Sequence, residues 1–260
     1  MNFRGNYRAI MERRTVEIKE KVNIVLLDGR VGTEIEKTLE RLAECTVLPI
    51  RGIEGARDET LFHPDIFFHF IKKVCVCAPN VPPEMRATLS KAGYEVISGN
   101  SVVKPEYKYE VAYNAARVGN TVFHNLRYTD PVLKDKLLEA GCKFVHVNQG
   151  YTKCSVSIIN DKAIITADKG IAEKANENDI EALLINEDQG ITLDDAGRYQ
   201  GFIGGATGIV DSKWLVAGDA KKLKDYEKIR EFLEKNNVVI VSLGRGKVKD
   251  VGSIMVSQRL

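Results

Sequence analysis

The sequence has no long run of apolar residues and no excess of charge of either sign. No apolar stretch approaches the ~18 residues that a membrane-spanning helix needs, although 44% of the residues are hydrophobic. The 38 lysines and arginines are nearly balanced by 36 aspartates and glutamates, which gives a formal net charge of +2. The sequence therefore predicts no membrane-spanning helix and gives no electrostatic reason to expect nucleic acid or a membrane surface as a partner.

Cysteine is scarce, and its number is odd. Five cysteines in a long chain do not fit a disulfide framework, so we expect reduced thiols and a cytoplasmic location. Four arginines lie within the first fourteen residues, but no hydrophobic stretch follows them, so a secretory signal is not predicted. We expect residues 1–20 to be an N-terminal extension and residues 21–260 to form a single domain.

The periodicity of the apolar residues predicts an alternation of strands and helices. Short β-branched or aromatic runs predict strands, and spacings of three and four predict helices. Three of the four predicted helices are followed by Gly93, Gly141 or Asn236, which is typical of a helix C-cap. The predicted strands are 22–27, 46–50, 94–97, 143–147 and 238–243, and the predicted helices are 33–42, 82–92, 129–140 and 225–234.

Hairpins of similar shape recur between these elements. They begin near residues 63, 110, 152 and 203, and a fifth begins near residue 251, where the sequence ends. When the turns are aligned, the equivalent positions are Asp65, Ala112, Cys154, Gly205 and Ser253. Separations of roughly 40–50 residues are typical of repeat architectures, in which each unit needs neighbours to bury its apolar face.

These repeats predict an α/β fold of five ββαβ units arranged as a five-fold pseudosymmetric propeller. The fifth unit is incomplete, and strand 22–27 would complete it and close the ring. Closure would also remove exposed sheet edges. The alternative is an open α/β sheet with coincidental spacing.

This arrangement resembles the pentein superfamily of guanidino-group-modifying proteins. Segments 148–155, 164–168 and 201–208 are also similar to a bacterial family of unknown function assigned to that fold. The resemblance implies an enzyme acting on a guanidino or amidine compound, with a nucleophilic cysteine near the C-terminus and a His-x-Asp motif. However, alignment of Ser257-Gln258 with the family's usual ending places Met255 in the cysteine's position, and a thioether cannot act as a nucleophile.

A ring of repeats brings equivalent strand starts to its axis, where a ligand site is expected. We predict catalytic roles for three residues: Cys154, His63 and Asp65. The ammonium group of Lys153 would stabilise a thiolate at Cys154, and His63 would act as its base. The predicted substrate-binding residues are Asn114, Lys153, Gly204, Gly205, Asp250 and Ser253.

Several of these residues also have structural explanations. Buried free cysteine is a common inert core residue. The glycine-rich segment 201–208 favours close backbone packing over an anion site, because it lacks the spacing of a phosphate-binding loop. Asp168 and Asp219 are predicted to cap the following turns. No metal or other cofactor is predicted, although His63, Asp65 and Cys154 are the most credible ligands for a metal.

Two functions remain open at this level. The first is an enzyme that attacks a guanidino or amidine carbon through Cys154. The second is a non-catalytic binding module of the same fold, with Met255 in the nucleophile's position. The expected partner is a small polar ligand, or for the binding module also a protein surface, and the sequence does not indicate the oligomeric state.

Overall fold

A computed structural model of the chain describes residues 23–43, 45–193 and 197–257. It contains five three-stranded sheets, each with one inner, one middle and one outer strand. The inner strand pairs antiparallel with the middle strand, and the middle strand pairs parallel with the outer strand. Because parallel neighbours need a crossover, a helix lies between the middle and outer strands of each sheet. We call each sheet with its helix a blade.

The blades follow one another along the chain. Blade I contains β3 (Phe68–Ile71), β4 (Val74–Cys77), α3 (Pro83–Lys91) and β5 (Glu95–Ser98). Blade II contains β6 (Ala116–Val118), β7 (Thr121–His124), α5 (Pro131–Glu139) and β8 (Lys143–His146). Blade III contains β9 (Val156–Asn160), β10 (Ala163–Thr166), α7 (Lys169–Asn176) and β11 (Glu181–Leu184). Blade IV contains β12 (Thr207–Val210), β13 (Lys213–Val216), α8 (Tyr226–Lys235) and β14 (Val239–Ser242).

Blade V is built from both ends of the described chain. It contains β1 (Asn23–Asp28), α1 (Thr33–Ala43), β2 (Cys45–Ile50) and the late strand β15 (Met255–Val256). β15 pairs antiparallel with β1, with Val25 opposite Val256. The Ser257 hydroxyl also accepts a hydrogen bond from the Ile24 backbone N–H at 2.8 Å. The predicted completion of the fifth unit by the early strand is therefore confirmed.

Short helices precede the inner strands of three blades, where the sequence predicted strand starts. They are α2 (Pro64–Phe67), α4 (Tyr107–Glu110) and α6 (Thr152–Ser155). The prediction also missed α7 and β11 in blade III. The N-cap of α7 is Asp168, whose side chain accepts a hydrogen bond from the Ile171 N–H. The predicted caps at Asp168 and at Asp219, which accepts from the Lys221 N–H, are both confirmed.

Polar links around the axis join each blade to the next. Proceeding from blade V, the residues that form them are Ser253, Gly252, Asp65, Asn114, Lys153, Cys154 and Gly205. Four links are backbone hydrogen bonds of 2.7–3.3 Å, and the fifth runs from the Asn114 amide to the Asp65 carbonyl at 3.0 Å. The axial residue of blade II is therefore Asn114, two residues after the predicted Ala112.

The predicted N-terminal extension 1–20 and Gln258 lie outside the described residues. None of the helices within the described ranges combines the length and apolar character needed to cross a bilayer.

The close approach of blades III and IV generates a stability prediction. A Cβ at Gly204 would overlap the backbone carbonyl oxygens of Lys153 and Val156, whereas a Cβ at Gly246 would meet nothing within 4 Å. We expect Gly204→Ala to lower the free energy of unfolding by about 2–3 kcal/mol. Urea unfolding measures this change, and the matched control Gly246→Ala should stay close to wild type. Equal stability of the two variants would contradict the packing described here.

Candidate functional site

Asp65 is the centre of a buried polar cluster on the axis. Its side chain is fully buried, and Oδ2 accepts hydrogen bonds from Ser253 Oγ at 2.7 Å and from Cys154 Sγ at 3.1 Å. Oδ1 has no hydrogen-bond partner among the described residues. A buried carboxylate oxygen without a partner is costly. Oδ2 of Asp65 thus has two hydrogen-bond partners, whereas the buried Oδ1 has none among the described residues.

Two neighbours complete this cluster. Lys153 donates from Nζ to Ser253 Oγ at 2.9 Å, and an ammonium group can donate two further hydrogen bonds. Asn114 donates to Cys154 Sγ at 3.2 Å, while its Oδ1 accepts from the Cys154 backbone N–H. The structure therefore brings together five of the predicted residues, from blades I, II, III and V.

The electrostatics of this cluster oppose a reactive thiolate. Burial raises the pKa of the Cys154 thiol well above its usual range, and the negative charges of Asp65 and Asp250 raise it further. The hydrogen bond from Asn114 acts in the opposite direction. Burial also lowers the pKa of Lys153, against the attraction of Asp65. Burial and the two carboxylates therefore outweigh the lowering of the Cys154 pKa that was expected from Lys153. The thiol stays protonated and donates a hydrogen bond to Asp65.

His63 does not join this cluster, although the sequence analysis assigned it as the base for Cys154. Its ring is buried between two other carboxylates, with Nε2 3.7 Å from Asp28 Oδ2 and Nδ1 3.8 Å from Asp250 Oδ1. These distances exceed hydrogen-bond length, and no hydrogen bond links His63 to Cys154 within the described part of the chain. His63 instead lies against Gly252, where any Cβ would overlap it.

Asp250, Gly204 and Gly205 occupy packing positions. Asp250 accepts hydrogen bonds from the backbone N–H groups of Phe202 at 2.8 Å and Gly252 at 3.0 Å, and burial raises the pKa of its carboxyl. A Cβ at Gly205 would overlap that carboxyl, and the Gly205 N–H is already bonded to the Cys154 carbonyl. The glycine-rich segment thus allows blades III, IV and V to meet closely, as its structural interpretation predicted.

An axial cavity of about 100 Å³ opens beside this cluster. Asp65 and Lys153 belong to its wall, and most of the remaining wall comes from the inner strands β3, β6, β9 and β15. Met255 also lines the cavity, so the position that resembles the family's nucleophile is accessible but carries an unreactive thioether. Cys154 is not among the residues that line it.

Three further polar residues of the cavity wall were missed by the sequence analysis. They are Lys72, His69 and Arg117. His69 Nε2 is buried and has no hydrogen-bond partner among the described residues, and burial together with nearby Arg117 lowers the pKa of His69 to about 3. His69 and Arg117 each stand between apolar residues in an inner strand. A polar residue between two apolar residues was the feature of the sequence that could have identified both positions, because alternate residues of an inner strand face the axis.

A second polar cluster lies on the loops that precede the inner strands. Buried Glu110 accepts from Arg57 Nε at 2.8 Å, from the Tyr151 hydroxyl at 2.5 Å and from the Thr60 hydroxyl. The Arg57 guanidinium also lies 5.6 Å from the centre of the Tyr151 ring. Tyr151 stacks in turn on Phe202. This cluster is internally paired and connects the loops of four blades.

Metal binding finds no support in the geometry. Within residues 23–43, 45–193 and 197–257, no group of three His, Cys, Asp or Glu side chains could hold a metal ion. Asp65 and Cys154 meet, but His63 faces Asp28 and Asp250 instead. The arrangement on the axis can bind a small polar molecule through Asp65 and Lys153.

The burial of Cys154 generates a prediction of low reactivity. In the folded protein we expect iodoacetamide to alkylate Cys154 at least roughly a hundredfold more slowly than in denaturant, because the thiol is buried and protonated. Peptide mass spectrometry measures the rate at each cysteine across pH. Rapid labelling of Cys154 alone below pH 8 would contradict this assignment.

The same thiol should make stability depend on pH. Above about pH 8.5 the unfolded state loses the Cys154 proton while the folded state keeps it, so the free energy of unfolding falls as pH rises. We expect wild type to lose about 1.4 kcal/mol per pH unit relative to Cys154→Ser in that range. Urea unfolding from pH 8 to 10 measures this change. If the free energies of unfolding of the two proteins changed equally with pH, burial would not be keeping the Cys154 thiol protonated.

Comparisons with known proteins agree with this architecture. The DDAH of Pseudomonas aeruginosa in complex with citrulline is 9% identical with a TM-score of 0.54, over 85% of this chain and 91% of that one. A C. jejuni agmatine deiminase with substrate bound is 10% identical with a TM-score of 0.53, and the match covers 90% of this chain and 95% of that one. An inosamine-phosphate amidinotransferase from Streptomyces griseus is 12% identical with a TM-score of 0.51, and the match covers 95% of this chain and 99% of that one.

Identities this low show the fold alone, which is the five-fold β/α-propeller of the pentein superfamily. No curated protein sequence matches this chain. A family model described as a family of unknown function, DUF6873, matches residues 26–255. The chain therefore has the pentein fold and belongs to the DUF6873 family.

Proposed function

We propose that this protein is a non-catalytic binding module of the pentein kind, which holds a small guanidino or amidine compound in the axial cavity. The observation that carries the proposal is Asp65 Oδ1, a buried carboxylate oxygen that has no hydrogen-bond partner among the described residues and belongs to a residue of the cavity wall. Guanidinium and amidinium N–H groups form charge-assisted hydrogen bonds with such an oxygen. A bound ligand of this class would remove the desolvation cost of that atom.

The site residues support binding better than catalysis. The Cys154 thiol is a buried hydrogen-bond donor, and the side chain in the position of the family's nucleophile is Met255. Among the structural neighbours, a DDAH was solved with citrulline and an agmatine deiminase with its substrate bound, which supports a ligand of this class. Lys153 and Ser253 would position the ligand beside Asp65.

A guanidino-modifying hydrolase is the second candidate, and one contact favours it. Cys154 Sγ lies 3.1 Å from Asp65 Oδ2, which offers a proton acceptor beside a nucleophile. In that reaction the thiol proton would pass to Asp65 as the Sγ–C bond forms. Asp65 would return that proton to the departing amine as a C–N bond breaks, and water would hydrolyse the resulting thiouronium adduct to a urea and the free Cys154 thiol.

We also propose that the five blades form one domain and that the protein is cytoplasmic. The β1–β15 pair joins the two ends of the described chain within one blade. All five cysteines are free thiols, as a reducing compartment would keep them.

The binding proposal predicts the effect of one isosteric substitution. Agmatine, titrated by calorimetry, should bind wild type saturably, and Asp65→Asn should weaken that binding at least about tenfold because a buried charged acceptor is lost. Asp161→Asn, on an exposed hairpin turn outside the cavity wall, is the matched control and should bind as wild type does. Thermal unfolding of each variant checks that it folds.

A second variant tests the cavity without changing its charges. Ile158→Phe enlarges a half-buried side chain of the wall and should also abolish agmatine binding. Unchanged binding in both Asp65→Asn and Ile158→Phe would overturn the proposal. Amine release from agmatine that disappears in Cys154→Ser would establish the hydrolase instead.

A further inference from the structure

His69 is a polar residue of the cavity wall that the proposed function does not use. It stands in β3, and only 7% of the residue is exposed. Its Nε2 is buried and has no hydrogen-bond partner among the described residues. A buried ring nitrogen without a partner loses the hydrogen bond that it would form with water, so a ligand that supplies this bond is favoured.

The other ring nitrogen fixes the tautomer of His69. Burial and Arg117 lower the pKa of His69 to about 3, and a hydrogen bond with the Tyr113 backbone opposes this lowering. A bond that raises the pKa of an imidazole is one that the ring donates, so the acceptor is the Tyr113 carbonyl. Because Nε2 has no partner, the donor is Nδ1. In the neutral ring Nε2 therefore carries no hydrogen and acts only as an acceptor.

His124 shows how the same fold satisfies another buried imidazole. It is fully buried, with Nδ1 2.7 Å from the Thr129 hydroxyl and Nε2 3.1 Å from the Gly150 carbonyl. Both of its nitrogens thus have partners within the protein. His69 differs from it, because only one of its nitrogens has such a partner and the residue belongs to the cavity wall.

The charges near His69 determine which kind of donor fits beside it. Arg117 and Lys153 both lower the pKa of His69, which means that they disfavour a further positive charge at the ring. An ammonium donor would meet the same repulsion. A carboxylate has no hydrogen to donate to an acceptor. A neutral donor, such as a hydroxyl or an amide N–H, avoids both problems.

We infer that His69 Nε2 accepts a hydrogen bond from a neutral donor of the ligand, a hydroxyl or an amide N–H, while the guanidino or amidine group meets Asp65. This inference rests on the proposed function and narrows its ligand class to compounds that carry both groups. His69 is then a specificity-determining residue, which selects what the remainder of the ligand carries. Alkyl guanidines without a second donor should bind more weakly.

The first experiment examines the His69 ring without a ligand. Long-range proton–nitrogen NMR correlations distinguish a ring nitrogen that carries hydrogen from one that does not, and His69→Asn identifies the signals of this residue. We expect the hydrogen on Nδ1 and none on Nε2, without change between about pH 5 and pH 8. A hydrogen on Nε2 in this range would make that atom a donor and would overturn the inference.

The second experiment compares three guanidino compounds of equal size. They are agmatine, the analogue in which a hydroxyl replaces its amino group, and the analogue in which a methyl group replaces it. In calorimetric titrations the alcohol should bind wild type at least about fivefold more tightly than either of the others, which is the effect of one hydrogen bond. Shorter chains with the same three ends extend the comparison over chain length.

Two variants assign this preference to His69. His69→Asn keeps a donor near the position of Nδ1 and removes the acceptor at Nε2, so the alcohol should lose its advantage over the methyl compound. His69→Gln offers a carbonyl oxygen near the position of Nε2 and should restore that advantage. The matched control His146→Asn changes an exposed histidine outside the cavity wall and should keep the wild-type preference. Thermal unfolding checks that each variant folds.

The possible outcomes separate this inference from the proposed function. Equal affinities of the three compounds at every chain length would overturn the role of His69 and leave binding at Asp65 intact. A preference for the alcohol that persists in His69→Asn would overturn that role as well. Saturable binding by none of the compounds would refute the proposed function, and this inference with it.

Discussion

The ring of polar links around the axis is the constraint on which this structure depends. Each of the five links joins one blade to the next, and the link between Asp65 and Gly252 closes the circuit. The groups that form these links bond across to a neighbouring blade, so a missing blade would leave buried N–H and carbonyl groups unsatisfied. Closure is therefore required at the axis as well as at the sheet edges, where β15 covers β1. The requirement also fixes the depth at which axial side chains enter the cavity.

That constraint explains why the axial side chains are polar and yet mostly unreactive. Asn114 replaces a backbone donor in the ring, so its amide is committed to structure. Cys154 supplies a carbonyl to the same ring, and its thiol is held against Asp65 with a raised pKa. Among the described residues of this network, Asp65 and Lys153 line the cavity. Oδ2 of Asp65 is held by Ser253 and Cys154, whereas Oδ1 has no partner in the described part of the chain, so the proposed ligand would meet a carboxylate that is already positioned.

Features that are determined within one blade could be predicted from the sequence. Contacts between side chains of different blades could not. The repeat spacing, the completion of blade V and the caps at Asp168 and Asp219 depend on periodicity and short-range hydrogen bonds, which a sequence displays directly. The pairing of His63 with Cys154 could not be predicted in this way. Both residues lie near the axis, but the rotation of each blade decides which side chains meet, and here His63 turns toward Asp28 and Asp250. For the same reason, alignment of the turns predicted Ala112 as the axial residue of blade II, whereas the structure has Asn114 there.

The composition of the inner strands indicates that the cavity serves more than packing. An inner strand that only filled the axis would present apolar side chains there, as β15 does with Met255. Instead β3 presents His69 and β6 presents Arg117, each flanked by apolar residues of the same strand. His69 Nε2 is buried without a hydrogen-bond partner in the described part of the chain, and such an atom costs stability unless water or a ligand solvates it. The polar side chains that β3 and β6 contribute to the wall therefore support the proposal that a small polar molecule binds in the cavity.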